Sequence, residues 1–278
     1  MKSFPVYHVD AFTSRPFGGN PAGVVLDAEG LTTGQMQLVA RELQHSETAF
    51  VTPSPEADYR IRFFTPVREV DLCGHATIAT AWVLASEGRL KRGRARQETN
   101  LGILDLDIDR ELVMMEQRPP AIEAVALNRD DLAEVLGIEA IDRELPVQKA
   151  STGVWSLIVP MAGQKEINLC QPRFPELAAL NLELGVLGTH LFTIEPGGTL
   201  YARHFAPACG VNEDPVTGTA NGALGGYLVL NSIARGPEFH VRQGDALGRP
   251  GELTVHATAH EVRIGGRAVI LSRGSITF

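Results

Sequence analysis

Four side chains with acid–base chemistry stand beside turns in this chain. Glu47 lies in Ser46-Glu47-Thr48, Cys73 and His75 flank Gly74, and Asp214 lies in Glu213-Asp214-Pro215-Val216-Thr217-Gly218. A carboxylate at an element junction can take up and return a proton if its surroundings raise its pKa. His75 can protonate a carbonyl or an enolate, or hold an anion. Asp214 precedes a proline, so it also reads as a turn or helix cap. Gly74-His75-Ala76 and Gly218-Thr219-Ala220 each precede a helix candidate. Helix starts leave backbone N–H groups without intrahelical acceptors, and such groups attract anions. Glycine in the turn permits dihedrals that expose consecutive amides. Two such starts facing one cleft would hold a small acidic substrate. The plainer reading is ordinary capping with tight helix packing.

Other chemistries fit less well. Asp71, Cys73 and His75 alternate along an extended segment and share a face, but no further ligand stands nearby and the spacing matches no zinc pattern. No metal is expected. Gly18-Gly19 and the Gly222–Gly226 run lack the dinucleotide fingerprint, and neither a Walker lysine nor a GxSxG elbow occurs. Cys209 lies nine residues before Gly218, so it is not the counterpart of Cys73.

The turns belong to a passage written twice. Arg62, Phe64 and Pro66 recur as Arg203, Phe205 and Pro207, 141 residues later. Gly74 and Ala76 recur as Gly218 and Ala220, 144 residues later, so the second copy carries three extra residues in its turn. Two similar lobes around a cleft follow from this.

The elements that must position these residues alternate along the chain. Strands are expected at Phe4–Phe12, Gly23–Leu26, Ser46–Val51 and Tyr59–Phe64, with a glycine-rich loop from Ser14 to Pro21. A helix capped by Thr32 or Thr33 is expected to Gln44, and another over Ala76–Ser86, stopped by Gly88. Residues 101–117 alternate as strands, and Arg118-Pro119-Pro120 marks a domain boundary. Asn128 caps a helix ending at Gly137. Beyond it come a strand at Val154–Val159, a helix at Pro175–Leu180, a strand at Leu191–Ile194, a small-residue helix over 219–230 and a tail of strands. The fold class is α+β: two lobes, each a curved, mostly antiparallel sheet around a central helix. The first lobe spans 1–118 and is completed by the last strand, about 268–278. The second spans 119–267.

With 278 residues and 44% apolar content, the chain is long enough for a sizeable core. A net charge of -8 argues against unspecific nucleic-acid binding, and no nucleic-acid module is present. The basic run Arg89–Arg96 reads as a solvated turn rather than an anion-facing edge. Three cysteines make no disulfide framework, and no apolar run spans a membrane, so a cytoplasmic setting is expected.

The chain resembles the phenazine-biosynthesis PhzF-like family, which shares the diaminopimelate-epimerase-like fold. The likeness is carried by Asp10-Ala11-Phe12 with Gly19-Asn20-Pro21-Ala22, by Ser46-Glu47-Thr48-Ala49-Phe50, and by Arg62-Phe63-Phe64-Thr65-Pro66. It continues through Gly74-His75-Ala76-Thr77, Glu213 to Ala220, and Gln243-Gly244 with Gly248-Arg249-Pro250. The resemblance implies an isomerase that uses no cofactor or metal and moves a proton between carbons of a small unsaturated or cyclic amino acid-like substrate. It implies Glu47 as the base and acid, with His75 and Asp214 assisting. Gly19, Asn20, Ser46, Cys73, Gly74, Ala76, Gly218 and Thr219 would line the pocket. It also implies a homodimer. Cys73 departs from the phenazine enzyme, which has a small residue there, whereas epimerases of this fold carry a catalytic cysteine in that turn. A racemase or epimerase using Cys73, and a non-catalytic ligand-binding protein, are the alternative functions.

Overall fold

The computed structural model describes residues 1–234 and 236–278. The chain divides into two compact units, Met1–Glu116 with Gly265–Phe278, and Gln117–Ile264.

The first unit holds β1 (Ser3–Ala11), β2 (Asn20–Val25), α1 (Thr33–Leu43), β3 (Glu47–Thr52), β4 (Tyr59–Phe64) and β5 (Glu69–Val70). It continues with α2 (Gly74–Ser86), β6 (Gly93–Thr99), β7 (Gly102–Ile108) and β8 (Val113–Gln117). The last strand of the chain, Ala268–Thr277, pairs antiparallel with β1. From there the sheet runs β1, β2, β3, β4, β6, β7, β8, with β5 also on β4. Only β2–β3 and β4–β6 are parallel among these pairs. Each parallel step encloses a helix, α1 or α2, as a crossover requires.

The second unit repeats this order. It holds β9 (Ala121–Ala124), α3 (Arg129–Leu136), β10 (Gln148–Ser151), β11 (Trp155–Pro160), α4 (Gln164–Leu169) and α5 (Phe174–Leu184). There follow β12 (Gly188–Ile194), β13 (Leu200–Ala206), β14 (Val211–Asp214), α6 (Gly218–Leu230), β15 (Glu238–Gln243) and β16 (Gly251–Ala257). The sheet runs β9, β10, β11, β12, β13, β15, β16, with β14 also on β13 and with β11–β12 and β13–β15 parallel. The short helix α4 lies outside the expected elements; its six residues are too few to show a periodic face.

Local chemistry explains the helix ends. Thr32 and Gln35 form a capping box on α1. The Asn128 side chain accepts from Asp130 N at 2.8 Å, and Gly137 closes α3 in the left-handed region. The central helices α2 and α6 are apolar or small all round, and such a helix must be buried. α2 packs on β1, β2 and β3, and α6 on β9, β10, β11 and β16. Where α6 meets β16 most closely glycine is needed: a Cβ at Gly225 would come 2.6 Å from Val255 Cγ1. Separate apolar clusters fill the two units, one around Phe4, Phe50 and Phe64, the other around Leu157, Leu191 and Phe205.

The basic run is a turn followed by a strand. Arg89 pairs with Asp27, and Arg94 with Asp105 at 2.8 Å across β6 and β7. No helix among the described residues is long and apolar enough to cross a membrane.

Candidate active site

In the first unit, two elements deliver side chains to one point. The chain leaves α1 through Gln44 in the left-handed region and enters β3 at Glu47, which pairs with Ala22 of β2. Cys73 is the extended residue before α2, and His75 is the helix's second residue. The Glu47 carboxylate Oε2 lies 3.3 Å from His75 Nε2. Ser46 Oγ is also 3.3 Å from that nitrogen and 3.4 Å from the Pro21 carbonyl oxygen. His75 and Cys73 are each 8% exposed, while the Glu47 side chain is half-buried.

The thiol has a particular placement. Cys73 Sγ is 3.4 Å from His75 Nδ1 and 3.8 Å from Nε2. Near equidistance from both nitrogens puts the sulfur beside the ring, off either N–H direction. A donor atom from each of Glu47, Cys73 and His75 lies within 4.8 Å of the others. The sulfur lies nearer His75 Nδ1 than Nε2, the nitrogen that faces Glu47, so in this arrangement a metal held by Nε2 and the carboxylate would stand out of the thiol's reach. All three are groups that can exchange a proton.

Gly74 and Ala76 open α2 on either side of His75, where first-turn N–H groups lack intrahelical acceptors. Gly19 precedes β2 with φ +57, and a Cβ there would collide with the Ala11 carbonyl oxygen, so glycine is required. Asn20 is fully buried at the start of β2, opposite Ala11.

In the second unit, Asp214 ends β14, Thr217 precedes α6, and Gly218 and Thr219 begin it. The Thr217 hydroxyl donates to Asp214 Oδ2. Sequence reasoning missed what holds this turn. The buried Gln243 amide donates to Asp214 O at 2.9 Å and Thr217 Oγ1 at 3.2 Å, and it accepts from Thr217 N at 3.2 Å. Gln243-Gly244 was visible only as part of the family likeness; its partners are distant in sequence.

A further repeat is geometric. Arg62 grips Glu69 through Nε and Nη2 at 2.7 and 2.6 Å, and Arg203 grips Glu213 the same way at 2.8 Å twice. The two guanidinium groups lie over Phe64 and Phe205, 5.1 and 4.8 Å from the ring centroids. The Arg-x-Phe motif is thus a brace, which explains its recurrence without a role in chemistry.

Comparison with known proteins places this geometry. The family model for phenazine biosynthesis-like proteins matches residues 9–274. An uncharacterized isomerase of Deinococcus radiodurans is 40% identical, with 96% of this chain and 92% of that protein covered. One of Clostridium acetobutylicum is 36% identical over 99% of both. The crystal structure of a Bacillus anthracis phenazine biosynthesis protein of the PhzF family superposes with a TM-score of 0.93 at 34% identity, covering 100% of both chains. A hydroxyproline epimerase from Agrobacterium vitis shares the fold, with a TM-score of 0.70 at 13% identity over 99% of this chain and 92% of that one. The chain is an isomerase and belongs to the phenazine biosynthesis-like family.

Proposed function

We propose that this isomerase moves a proton between two carbons of a small unsaturated or cyclic amino acid-like substrate, with Glu47 as both base and acid. The observation that carries the reading is the Glu47 carboxylate, 3.3 Å from His75 at the start of α2. Glu47 removes a proton from one carbon, and the electron pair spreads into the adjoining unsaturation. The protonated Glu47 then returns the proton to a different carbon. No oxidant, reductant or cofactor enters the balance. The α2 start favours the negative charge that develops in between, and His75 orients the carboxylate and the substrate.

The position of Cys73 favours this over racemisation by a Glu47–Cys73 pair. Bases on opposite faces of one carbon stand about 6–7 Å apart, since each must approach within about 3–3.5 Å. Glu47 and Cys73 are within 4.8 Å of each other, closer than that separation. They fit proton transfer on a single face.

Solvent-deuterium incorporation into a panel of cyclic and linear amino acids tests the proposal. Wild type should label carbon positions, and Glu47→Gln should slow labelling by about 10²–10⁴-fold. Absence of labelling across a broad panel would favour a binding protein on the same scaffold. Labelling untouched by Glu47→Gln would remove that residue from the base role.

A further inference from the structure

A buried line of polar side chains runs from His190 to Asp214 in the second unit. His190, Asn221 and Gln243 are each no more than 1% exposed. Asn221 Oδ1 is 3.2 Å from His190 Nε2, and Asn221 Nδ2 is 2.7 Å from Gln243 Oε1. Gln243 then reaches Thr217, whose hydroxyl meets Asp214.

The backbone fixes the direction of every link. The Thr217 N–H can only donate, and it donates to Gln243 Oε1. The Asp214 carbonyl can only accept, and it accepts from Gln243 Nε2. These two contacts settle which end of the Gln243 amide is oxygen. Its second Nε2 hydrogen therefore goes to Thr217 Oγ1, and its second lone pair faces Asn221. The Asn221 amide is settled likewise, because Nδ2 also donates to the Thr217 carbonyl at 2.9 Å. Its oxygen is then the atom facing His190, so the His190 proton must sit on Nε2. The remaining nitrogen, Nδ1, is buried with no hydrogen-bond partner. Burial holds the His190 pKa down to about 4, which keeps the ring neutral.

We infer that His190, Asn221, Gln243 and Thr217 are positioning residues forming a one-way hydrogen-bond relay, whose final O–H donation fixes Asp214 Oδ2 as an acceptor. Each link donates toward Asp214, and bonds aligned in one sense reinforce each other. The relay orients the Asp214 carboxylate through Oδ2. It also holds the turn that starts α6. The catalytic consequence rests on the proton-shuttling function proposed above; the direction of the relay does not.

The whole chain, labelled with ¹⁵N, provides the first test. The His190 signals, assigned by comparison with His190→Gln, should show a protonated Nε2 and a bare Nδ1. A proton on Nδ1 overturns the relay. Gln243→Leu removes all four amide contacts, and Gln243→Glu, nearly the same shape, removes the two donations. If the leucine variant fails to fold, the glutamate variant carries the test. Either should speed amide hydrogen exchange in residues 214–221 and lower kcat by about tenfold or more with KM little changed. Unchanged exchange and unchanged kcat in a folded variant would also overturn it. If wild type labels no substrate, the proposed function fails, while tautomer and amide exchange still decide the relay.

Discussion

The two units share a frame and differ at the positions proposed to carry the chemistry. Thr48 pairs with Phe64, and Thr189 pairs with Phe205, so β3 and β12 are in corresponding register. Glu47 in one unit therefore corresponds to Gly188 in the other. The Arg62–Glu69 and Arg203–Glu213 braces align the next turn, which sets Val70 against Asp214. The N-cap residues Cys73 and Thr217 correspond, as do His75 and Thr219, the second residues of the two helices. Each unit thus carries an acidic candidate where its counterpart has none. The sheet order, the buried helix and the brace are common to both units, and the acidic positions are not.

The braces allow the largest test of this comparison. Arg203 and Glu213 side chains are 8% and 10% exposed, and Arg203 Nη1 also donates to the Ile167 and Cys170 carbonyls. Arg62 and Glu69 are 21% and 26% exposed. Arg203→Ala leaves a buried carboxylate unpaired and should cost about 3–5 kcal/mol in chemical denaturation. Arg62→Ala should cost about 1 kcal/mol. Equal losses would mean that the braces do not differ in burial as described.

Acid should separate the units next. His190 and His204 face each other across β12 and β13, where the first unit has Ala49 and Phe63. Both rings are buried, which lowers their pKa values, His190 to about 4 from 6.5. Above pH 6.5 neither the folded nor the unfolded His190 binds a proton, so its neutral burial carries no pH penalty. As pH falls from about 6.5 toward 4, the unfolded chain gains protons the folded one refuses, and stability is lost. For His190 the loss is on the order of 3 kcal/mol by pH 4. Amide exchange in β12 and β13 should accelerate in this window before exchange in β3 and β4. His204→Phe, which installs the residue found at the matching place, should flatten part of the pH dependence. An unaltered acid profile would contradict the assignment.

A smaller effect is expected at Gly188. A Cβ there would come 2.5 Å from the Phe205 carbonyl oxygen and 2.7 Å from His204 Nε2. Gly188→Ala should destabilise by about 1–3 kcal/mol in thermal or denaturant unfolding. A neutral result would show that the second unit retains room for a side chain at this place.

The sequence made the α+β architecture legible because strand alternation, the Thr32 and Asn128 caps and the Arg-x-Phe repeat are local signals. Cys73 and His75 were visible as neighbours two residues apart, and Ser46-Glu47 as an adjoining polar junction. Their meeting depends on the chain path between β3 and α2, which no spacing in the sequence encodes. The relay was illegible for a stronger reason. Gln243, Asn221 and His190 lie on three elements, and a buried amide is distinguished from a surface one only by tertiary partners. The repeat itself hid the substitution of Glu47 by Gly188, because the matching motifs begin after that position.

Solvent-deuterium labelling by wild type and Glu47→Gln tests the division of labour most directly, since it reads the proton that Glu47 is held to move. Carbon-bound label is expected with wild type, and a loss of about 10²–10⁴-fold with the variant. Equal labelling by both proteins would contradict it.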